Sequence, residues 1–257
     1  MSLLLEKESK KSTYNIRIKD TVAMFTKGLF YTLFDEKKAQ EKELISLKKV
    51  FFELTSQLSI NNGEHIWQQF VSKLEIIRIR LDLDALAAYK SDPAAKSLNE
   101  IYLAYPGFHA IAIYRISREL FLLNVPIIPR MMSEYAHGLT GTDIHPGATI
   151  GDSFFIDHAT GIVIGETTII RNSVTIFQGV TLGGIQVKKS LSDTKRHPTV
   201  EDNVTIYANA TILGGDITIG ENSIIGANVW ITKSIAKNSI VTYQSEIKIT
   251  SKNEVTI

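Results

Sequence analysis

Histidines and aspartates with the parts of a general base lie close together in the second half of the chain. Four of the six histidines fall in or beside residues 144–230: His137, His145, His158 and His197. Two of these follow carboxylates closely, in Asp143-Ile144-His145 and in Asp157-His158. A carboxylate that hydrogen-bonds one ring nitrogen fixes the tautomer and stabilises the imidazolium that forms when the other nitrogen takes a proton. The pattern permits general-base chemistry, but the spacing alone leaves open that each histidine is a turn or surface residue.

A basic segment follows at residues 186–199, which carry four basic side chains and end in Lys195-Arg196-His197-Pro198 and Thr199. We expect this segment to be a loop that projects from one corner of the fold. Long loops in compact domains are more often functional than not, and a tolerated surface insertion is the alternative.

An aliphatic repeat of six residues would position these side chains. The repeat positions are Ile144, Ile150, Ile156, Ile162, Thr168, Val174 and Val180, then Val200, Ile206, Ile212, Ile219, Ile225 and Ile231. One residue is added at Gly214-Gly215-Asp216. A period of six fits neither a helix nor plain strand alternation. It is typical of a parallel β-helix with three short faces and about 18 residues per coil, in which each coil buries its aliphatic side chains against its neighbours.

The first half of the chain is predicted to be helical. Apolar residues recur at helical spacing over residues 20–58, 64–82, 108–123 and 126–137. Asp92-Pro93 is interpreted as an N-cap followed by proline at the first helical position. The predicted fold class is α+β, with an α-helical domain over residues 1–139, a β-helix over 140–242 that includes the loop 186–199, and a C-terminal tail over 243–257.

Composition narrows the classes of function. The net charge of +1 argues against binding to nucleic acid or to a membrane surface. The absence of cysteine excludes disulfides and thiolate chemistry and fits a reducing cytoplasm. The apolar patch at residues 3–5 is too short for a signal peptide, and there is no run of 18 apolar residues. We therefore expect a cytoplasmic protein.

Several short motifs follow one another along the chain. They are Asp92-Pro93-Ala94, Gly107-Phe108-His109, Asp143-Ile144-His145-Pro146, Asp157-His158-Ala159-Thr160-Gly161, Gly165-Glu166-Thr167, Val180-Thr181-Leu182-Gly183-Gly184 and Arg196-His197-Pro198. Taken together, these motifs resemble the serine acetyltransferases among the hexapeptide-repeat acyltransferases. The resemblance covers residues 80–235. Isoleucine repeats with glycine occur in many acyltransferases, so the Asp-His-Ala-Thr-Gly and Arg-His-Pro segments are the more specific part.

The resemblance implies transfer of acetyl from acetyl-CoA to the hydroxyl of L-serine, which gives O-acetylserine for cysteine synthesis. His158 would be the base that removes the hydroxyl proton, and Asp143 would be its orienting carboxylate. The residues that would hold serine are Asp92, Asp157, Arg196 and His197, of which Arg196 offers a planar fork suited to a carboxylate. Thr181, Gly183 and Gly184 would lie at the acetyl-CoA thioester, where glycine lets the backbone approach closely. No metal is expected.

The resemblance also implies an assembly. The coil would be left-handed, three coils would associate with active sites between neighbouring subunits, and the helical half would join two trimers into a hexamer. The C-terminal Ile257 would enter the active site of O-acetylserine sulfhydrylase. Residues 240–246 lack the glycine and proline of the family's usual coenzyme-binding segment, so the sequence predicts neither the CoA contacts there nor inhibition by cysteine.

Three alternatives remain at this point. The protein could acetylate another hydroxyl acceptor, such as a sugar. It could be a zinc enzyme, because some hexapeptide coils bind zinc through histidines, although these histidines lack paired spacing. It could also act only as an interaction protein through Ile257.

Overall fold

The computed structural model describes residues 15–185 and 194–244 and consists of a helical half followed by a coil of short strands. In this part of the chain, helices α1 to α7 span Ile18–Thr32, Lys37–Gln57, Gly63–Val71, Leu74–Ser91, Leu98–Ala104, Pro106–Leu122 and Ile128–Thr140. Strands β1 to β7 span Asp143–Ile144, Thr149–Ile150, Phe155–Ile156, Val163–Ile164, Ile169–Ile170, Thr175–Ile176 and Thr181–Gly183. Strands β8 to β14 span Thr199–Val200, Thr205–Ile206, Thr211–Leu213, Thr218–Ile219, Ile224–Ile225, Trp230–Ile231 and Ile240–Val241. No helix among these residues is long and apolar enough to cross a membrane.

The helical half is built around buried aromatic rings. Phe25 of α1, Phe51 of α2 and Trp67 of α3 lie against one another, with ring centroids 5.5 to 6.4 Å apart. Such tilted and offset rings add to the free energy gained from their burial. The helical spacing in the sequence therefore indicated these helices correctly, except that the single helix predicted over residues 64–82 is two helices, α3 and α4.

The prediction of an N-cap at Asp92 is wrong. Asp92 caps the C-terminus of α4, and its carboxylate accepts a hydrogen bond from the backbone N–H of Ala94 at 2.8 Å. Pro93 lies in the turn that follows. The next helix, α5, has Ser97 as its N-cap, and the Ser97 hydroxyl accepts from the N–H of Glu100 at 3.2 Å. Aspartate followed by proline suits a turn as well as a helix start, so the local sequence did not distinguish the two.

The second half is a parallel β-helix with three faces, as the six-residue period predicts. Sheet A has the strand order β1-β4-β7-β10-β13, sheet B has β2-β5-β8-β11, and sheet C has β3-β6-β9-β12-β14. Every pairing is parallel. In most strands one residue faces outward and the next is buried inside the coil, so the aliphatic core lies along the axis.

The first coil is two residues longer than the period predicts. Asp143 pairs with Val163, an offset of 20 residues, whereas Val163 pairs with Thr181 at the expected 18. The extra residues lie between β3 and β4. Beyond them the inward strand positions are Ile164, Ile170, Ile176 and Leu182, not the predicted Ile162, Thr168, Val174 and Val180. The four predicted residues are also buried, but they stack at the corners of the coil and not in its strands. The aliphatic repeat in the sequence therefore looked unbroken.

Two other interruptions agree with the sequence. Thr181 pairs with Thr211 at an offset of 30 residues, because the loop before Thr199 is inserted into that coil. Thr199 pairs with Thr218 at 19, which confirms the single added residue at Gly214-Gly215-Asp216. Residues 186–193 of the predicted loop lie outside the described residues.

Helix α6 lies directly against the first coil. A Cβ atom built on Gly107 would lie inside contact distance of the Ile156 carbonyl oxygen and 3.0 Å from the Ile156 Cβ, so the first turn of α6 can approach strand β3 only because residue 107 is glycine. Farther along the helix, the Tyr114 hydroxyl donates to the Ala148 carbonyl at 2.6 Å. These contacts hold α6 against strand β3 and against the corner before strand β2.

A buried ion pair joins two helices to the same coil. Arg115 of α6 donates to both carboxylate oxygens of Asp84 of α4, at 2.5 and 2.8 Å, and the two side chains are 2% and 0% exposed. Asp84 also accepts from the N–H of Phe154 at 2.9 Å, and Arg115 donates to the Gly151 carbonyl at 2.8 Å. The helical half therefore has a fixed orientation against the coil, which matters because the candidate site draws on both.

Candidate active site

His158 is displayed on the corner that contains the two extra residues. His158 and Ala159 have φ values of 59° and 66°, in the left-handed region, and Gly161 follows with 81°. Ala159 is fully buried below the corner, and its carbonyl accepts from the Thr142 hydroxyl at 2.8 Å. The His158 side chain is 69% exposed. The left-handed backbone, which recurs at other corners of the coil, here turns the His158 side chain outward.

Carboxylates surround His158 on its own side of the coil. Asp157, whose side chain is 18% exposed, lies 3.8 Å from the His158 Nε2 atom. Asp92 reaches the same region from the turn after α4, where it accepts a hydrogen bond from the Tyr105 hydroxyl at 2.5 Å. This hydrogen bond, with those from the Ala94 N–H and the charge of nearby His158, lowers the pKa of Asp92. Conversely, the bond to Asp92 raises the pKa of Tyr105 to about 12. We call Asp92, Tyr105, Asp157 and His158 the His158 cluster.

The other predicted residues meet in a separate pocket of about 250 Å³, which we call the Arg196 pocket. Its lining residues are Arg130, Asp143, His145, Val163, Ile164, Gly165, Glu166, Gly184, Arg196 and His197. This volume is slightly smaller than the roughly 300–1,000 Å³ of pockets that enclose a whole ligand. Gly184 follows strand β7, which holds Thr181 and Gly183 at residues that face outward from sheet A. The predicted acetyl-CoA residues therefore adjoin the Arg196 pocket.

Charged groups are paired inside the Arg196 pocket. The Arg196 guanidinium donates to the Glu166 carboxylate, and Arg130 of α7 donates to Asp143 at 3.1 Å. His145 accepts a hydrogen bond at Nδ1 from the N–H of Gly147 at 3.0 Å, and burial lowers its pKa. The pocket thus holds two guanidinium groups, each paired with a carboxylate, beside the His145 imidazole, whose lowered pKa favours its neutral form.

Asp143 does not contact His158 within one chain. Among the hydrogen bonds of the described residues, Asp143 is joined to Arg130 and none connects it to His158. The structure therefore places the predicted site residues in two groups, with Asp92, Asp157 and His158 in one and Asp143, Gly184, Arg196 and His197 in the other. Ile257 lies outside the described residues.

Related proteins identify the family of this chain. A family model for bacterial transferase hexapeptide (six repeats) matches residues 197–233. The serine acetyltransferase of Bacillus subtilis is 45% identical over 163 residues, which cover 63% of this chain and 72% of that protein. The chain belongs to the serine acetyltransferase family.

Two further serine acetyltransferases show how far the likeness extends. The plasmid serine acetyltransferase of Synechococcus elongatus is 44% identical over 206 residues, which cover 78% of this chain but only 63% of that relative's length. The crystal structure of Entamoeba histolytica serine acetyltransferase 1 in complex with L-cysteine matches with a TM-score of 0.79 and 36% identity over 86% of both chains. This likeness also confirms the left-handed winding predicted for the coil.

One group of acidic residues and histidine has the composition of a metal site. Glu134, His137 and Asp143 place ligand atoms within 4.8 Å of one another. The Arg130 guanidinium already pairs with both carboxylates. The group is therefore part of an ion-pair network that includes the predicted catalytic residue Asp143.

Four polar residues of these clusters were not among the predicted catalytic and binding residues: Tyr105, Arg130, His145 and Glu166. Of these, the sequence had marked only His145, as a histidine beside a carboxylate. Glu166 and His145 stand inside the motifs that resemble serine acetyltransferases, so those motifs were the available signal. Arg130 comes from helix α7 and Tyr105 from the single residue between α5 and α6, both in the half that the sequence treated as scaffold. Their roles depend on how α5 to α7 pack against the coil, and no local pattern in the sequence indicates that packing.

Proposed function

We propose that this protein transfers acetyl from acetyl-CoA to the hydroxyl of L-serine, giving O-acetyl-L-serine and CoA, the first step of cysteine biosynthesis. Membership of the serine acetyltransferase family supports the proposal. The observation that supports it most directly is the chemistry of the two clusters, since one holds carboxylates beside an exposed histidine and the other holds the Arg196 guanidinium, which Glu166 orients and which a serine carboxylate would join. An amino acid carries both an ammonium and a carboxylate, whereas a sugar hydroxyl acceptor requires neither.

In this proposal the two ends of serine bind to opposite charges. Asp92 and Asp157 hold the ammonium, and the hydrogen bond from Tyr105 keeps Asp92 in its ionised form. Arg196 holds the carboxylate through its planar fork. Binding both ends places the hydroxyl beside His158, and this positioning contributes to the rate because the reacting groups need not find each other by diffusion.

The acetyl transfer then needs a base and a site for negative charge. His158 takes the hydroxyl proton as the serine oxygen attacks the thioester carbonyl carbon. Backbone at Gly183 and Gly184 stabilises the resulting oxyanion. When the intermediate collapses, the C–S bond breaks, and the CoA sulfur takes the proton from the His158 imidazolium. No acyl-enzyme is needed, because the thioester is already activated.

We further propose that the site is completed between subunits of a trimer. The His158 cluster of one subunit would face the Arg196 pocket of its neighbour, and Asp143 of that pocket would orient His158. The division of the site residues into two groups within one chain supports this arrangement, and so does the small volume of the Arg196 pocket taken alone. The helical half would join two trimers into a hexamer.

The remaining parts of the proposal concern partners and location. L-cysteine, which the Entamoeba enzyme binds in its crystal structure, has the same ammonium and carboxylate as serine, so we expect it to compete with serine. The C-terminal Ile257 would bind O-acetylserine sulfhydrylase, and deleting this residue should abolish that binding while acetyl transfer continues. The reaction would take place in the cytoplasm.

The test is release of CoA thiol from acetyl-CoA, measured with and without serine and against a panel of other hydroxyl acceptors. The wild type should require serine, and His158→Ala should lower the rate by about 10² to 10⁴. His65→Ala is the matched control, since His65 is exposed on α3, away from both clusters. CoA release that does not depend on serine would refute serine as the acceptor. Full activity of His158→Ala would refute His158 as the general base.

A further inference from the structure

Thr167 connects the loop that brings Arg196 and His197 to the coil. Thr167 lies at the corner after strand β4, and its Oγ1 atom accepts hydrogen bonds from the backbone N–H groups of Arg196 at 2.9 Å and of His197 at 3.1 Å. Lys195 adds to this attachment, because its ammonium donates to the carbonyls of Thr167 at 3.2 Å and of His197 at 2.5 Å. The Thr167 side chain thus holds the backbone of Arg196 and His197, two of the four predicted serine-binding residues.

The same residue determines which nitrogen of His197 carries the proton. The Thr167 backbone N–H, which can only donate, lies 3.1 Å from His197 Nδ1. The Thr167 hydroxyl lies 2.9 Å from the same nitrogen. Because the hydroxyl oxygen already accepts from two N–H groups, its hydrogen is free to point at Nδ1. Nδ1 therefore accepts, and the proton of the neutral ring is on Nε2.

The surroundings of His197 favour the neutral ring. Burial lowers the pKa of His197 to about 4, the positive charges of Arg196 and Lys195 and the nearby His145 act in the same direction, and Glu166 opposes them. The ring also lies against Gly165, where any side chain would overlap it. His197 lines the Arg196 pocket, so the polar atom that it can offer to a ligand is the Nε2–H donor.

We propose that Thr167 is a positioning residue that anchors Arg196 and His197 and fixes His197 as a neutral Nε2–H donor to an oxygen of the bound amino acid. The identity of that amino acid as serine rests on the function proposed above, whereas the tautomer does not. His197 then acts as a hydrogen-bond donor and never as a second base. Each residue of the Gly165-Glu166-Thr167 segment then has a role. Gly165 leaves space for the His197 ring, Glu166 pairs with the Arg196 guanidinium, and Thr167 anchors the backbone of Arg196 and His197.

The kinetic test compares Thr167→Val with Thr167→Ser. Valine keeps the shape but removes the hydroxyl, which leaves two backbone N–H groups without their acceptor, so the KM for serine should rise by about tenfold or more. The KM for acetyl-CoA should change little, and serine at position 167 should restore most of the wild-type KM. Thr205→Val is the matched control, because Thr205 lies on strand β9 and takes part in none of these contacts. A wild-type KM for serine in Thr167→Val would overturn the anchoring role.

The spectroscopic test uses ¹⁵N NMR of the imidazoles in the intact protein, with the His197 signals assigned by their loss in His197→Gln. His197 should show the Nε2–H tautomer in the wild type and should remain neutral at pH 6. An Nδ1–H ring, or a ring protonated at that pH, would overturn the proposal even if Thr167→Val fails to fold. If the wild type instead proves unable to acetylate serine, the proposed function fails, and the NMR result still decides the role of Thr167.

Discussion

Mixed trimers offer the sharpest test of a site shared between subunits. His158→Ala removes the base from one cluster and Arg196→Ala removes the guanidinium from the other, so each variant alone should be nearly inactive. A working site requires intact His158 from one subunit and intact Arg196 from its neighbour. When equal amounts of the two variants assemble at random, each requirement is met half of the time, so about one quarter of the sites should be complete. Serine-dependent CoA release from the mixture should therefore recover to about a quarter of the wild-type rate per subunit.

The location of Asp143 makes the same experiment more specific. Because Asp143 lies in the Arg196 pocket, Asp143→Asn mixed with His158→Ala should also recover about a quarter of the wild-type rate. A mixture of His158→Ala with His158→Asn is the control and should recover nothing. If the first mixture stays inactive although mass spectrometry shows mixed trimers, the site lies within one chain and the reasoning is refuted.

Three further predictions concern the scaffold and its dependence on pH. Asp84→Ala should lower the free energy of unfolding, measured with denaturant, by about 3–5 kcal/mol, because it leaves the Arg115 charge buried without its partner. Gly107→Ala should cost about 1–3 kcal/mol in the same measurement and raise the KM for serine, because the new methyl group pushes α6 away from Ile156, which precedes Asp157. Burial lowers the pKa of His197 in the folded protein to about 4, whereas its pKa in the unfolded chain stays near 6.5. The unfolded chain therefore binds the proton first as the pH falls, so the contribution of His197 to the free energy of unfolding is complete above about pH 6.5 and is lost as the pH falls toward 4. The wild type should therefore lose about 1 kcal/mol more than His197→Gln between pH 7 and 5, after allowance for partial exposure.

Matched variants separate these effects from general damage. Glu64→Ala breaks the exposed pair with Lys48 and should leave the free energy of unfolding nearly unchanged, because solvent screens exposed ion pairs. Gly138→Ala lies in the exposed interior of α7, where a Cβ meets nothing within 4 Å, and should stabilise the protein by about 0.5–1 kcal/mol. A loss below 1 kcal/mol in Asp84→Ala, wild-type behaviour of Gly107→Ala, or the same pH dependence in His197→Gln would each contradict the corresponding prediction.

The six-residue period was a strong local signal, because each coil can bury only those positions that face the axis. It indicated the β-helix, the interruption before Thr199 and the single added residue at Gly214-Gly215-Asp216. It did not reveal the two extra residues around His158. The buried residues at the corners of the coil are as aliphatic as the buried residues of the strands, so a count in steps of six moves from strand positions to corner positions without a visible break. Helical spacing likewise indicated the N-terminal helices but could not separate α3 from α4 or assign Asp92 to a helix end.

By itself, the sequence determined the coil, the helical half and the residues whose chemistry suits acetyl transfer, because periodicity and side-chain type are properties of short segments. Only the tertiary structure decided how those residues are grouped. The packing of α6 on β3 through Gly107 brings the turn at Asp92 to His158, and α7 brings Arg130 to Asp143. These are contacts between segments far apart in the chain, and they depend on how the helices pack against the coil, which no local pattern specifies. The separation of Asp143 from His158 is a consequence of that packing.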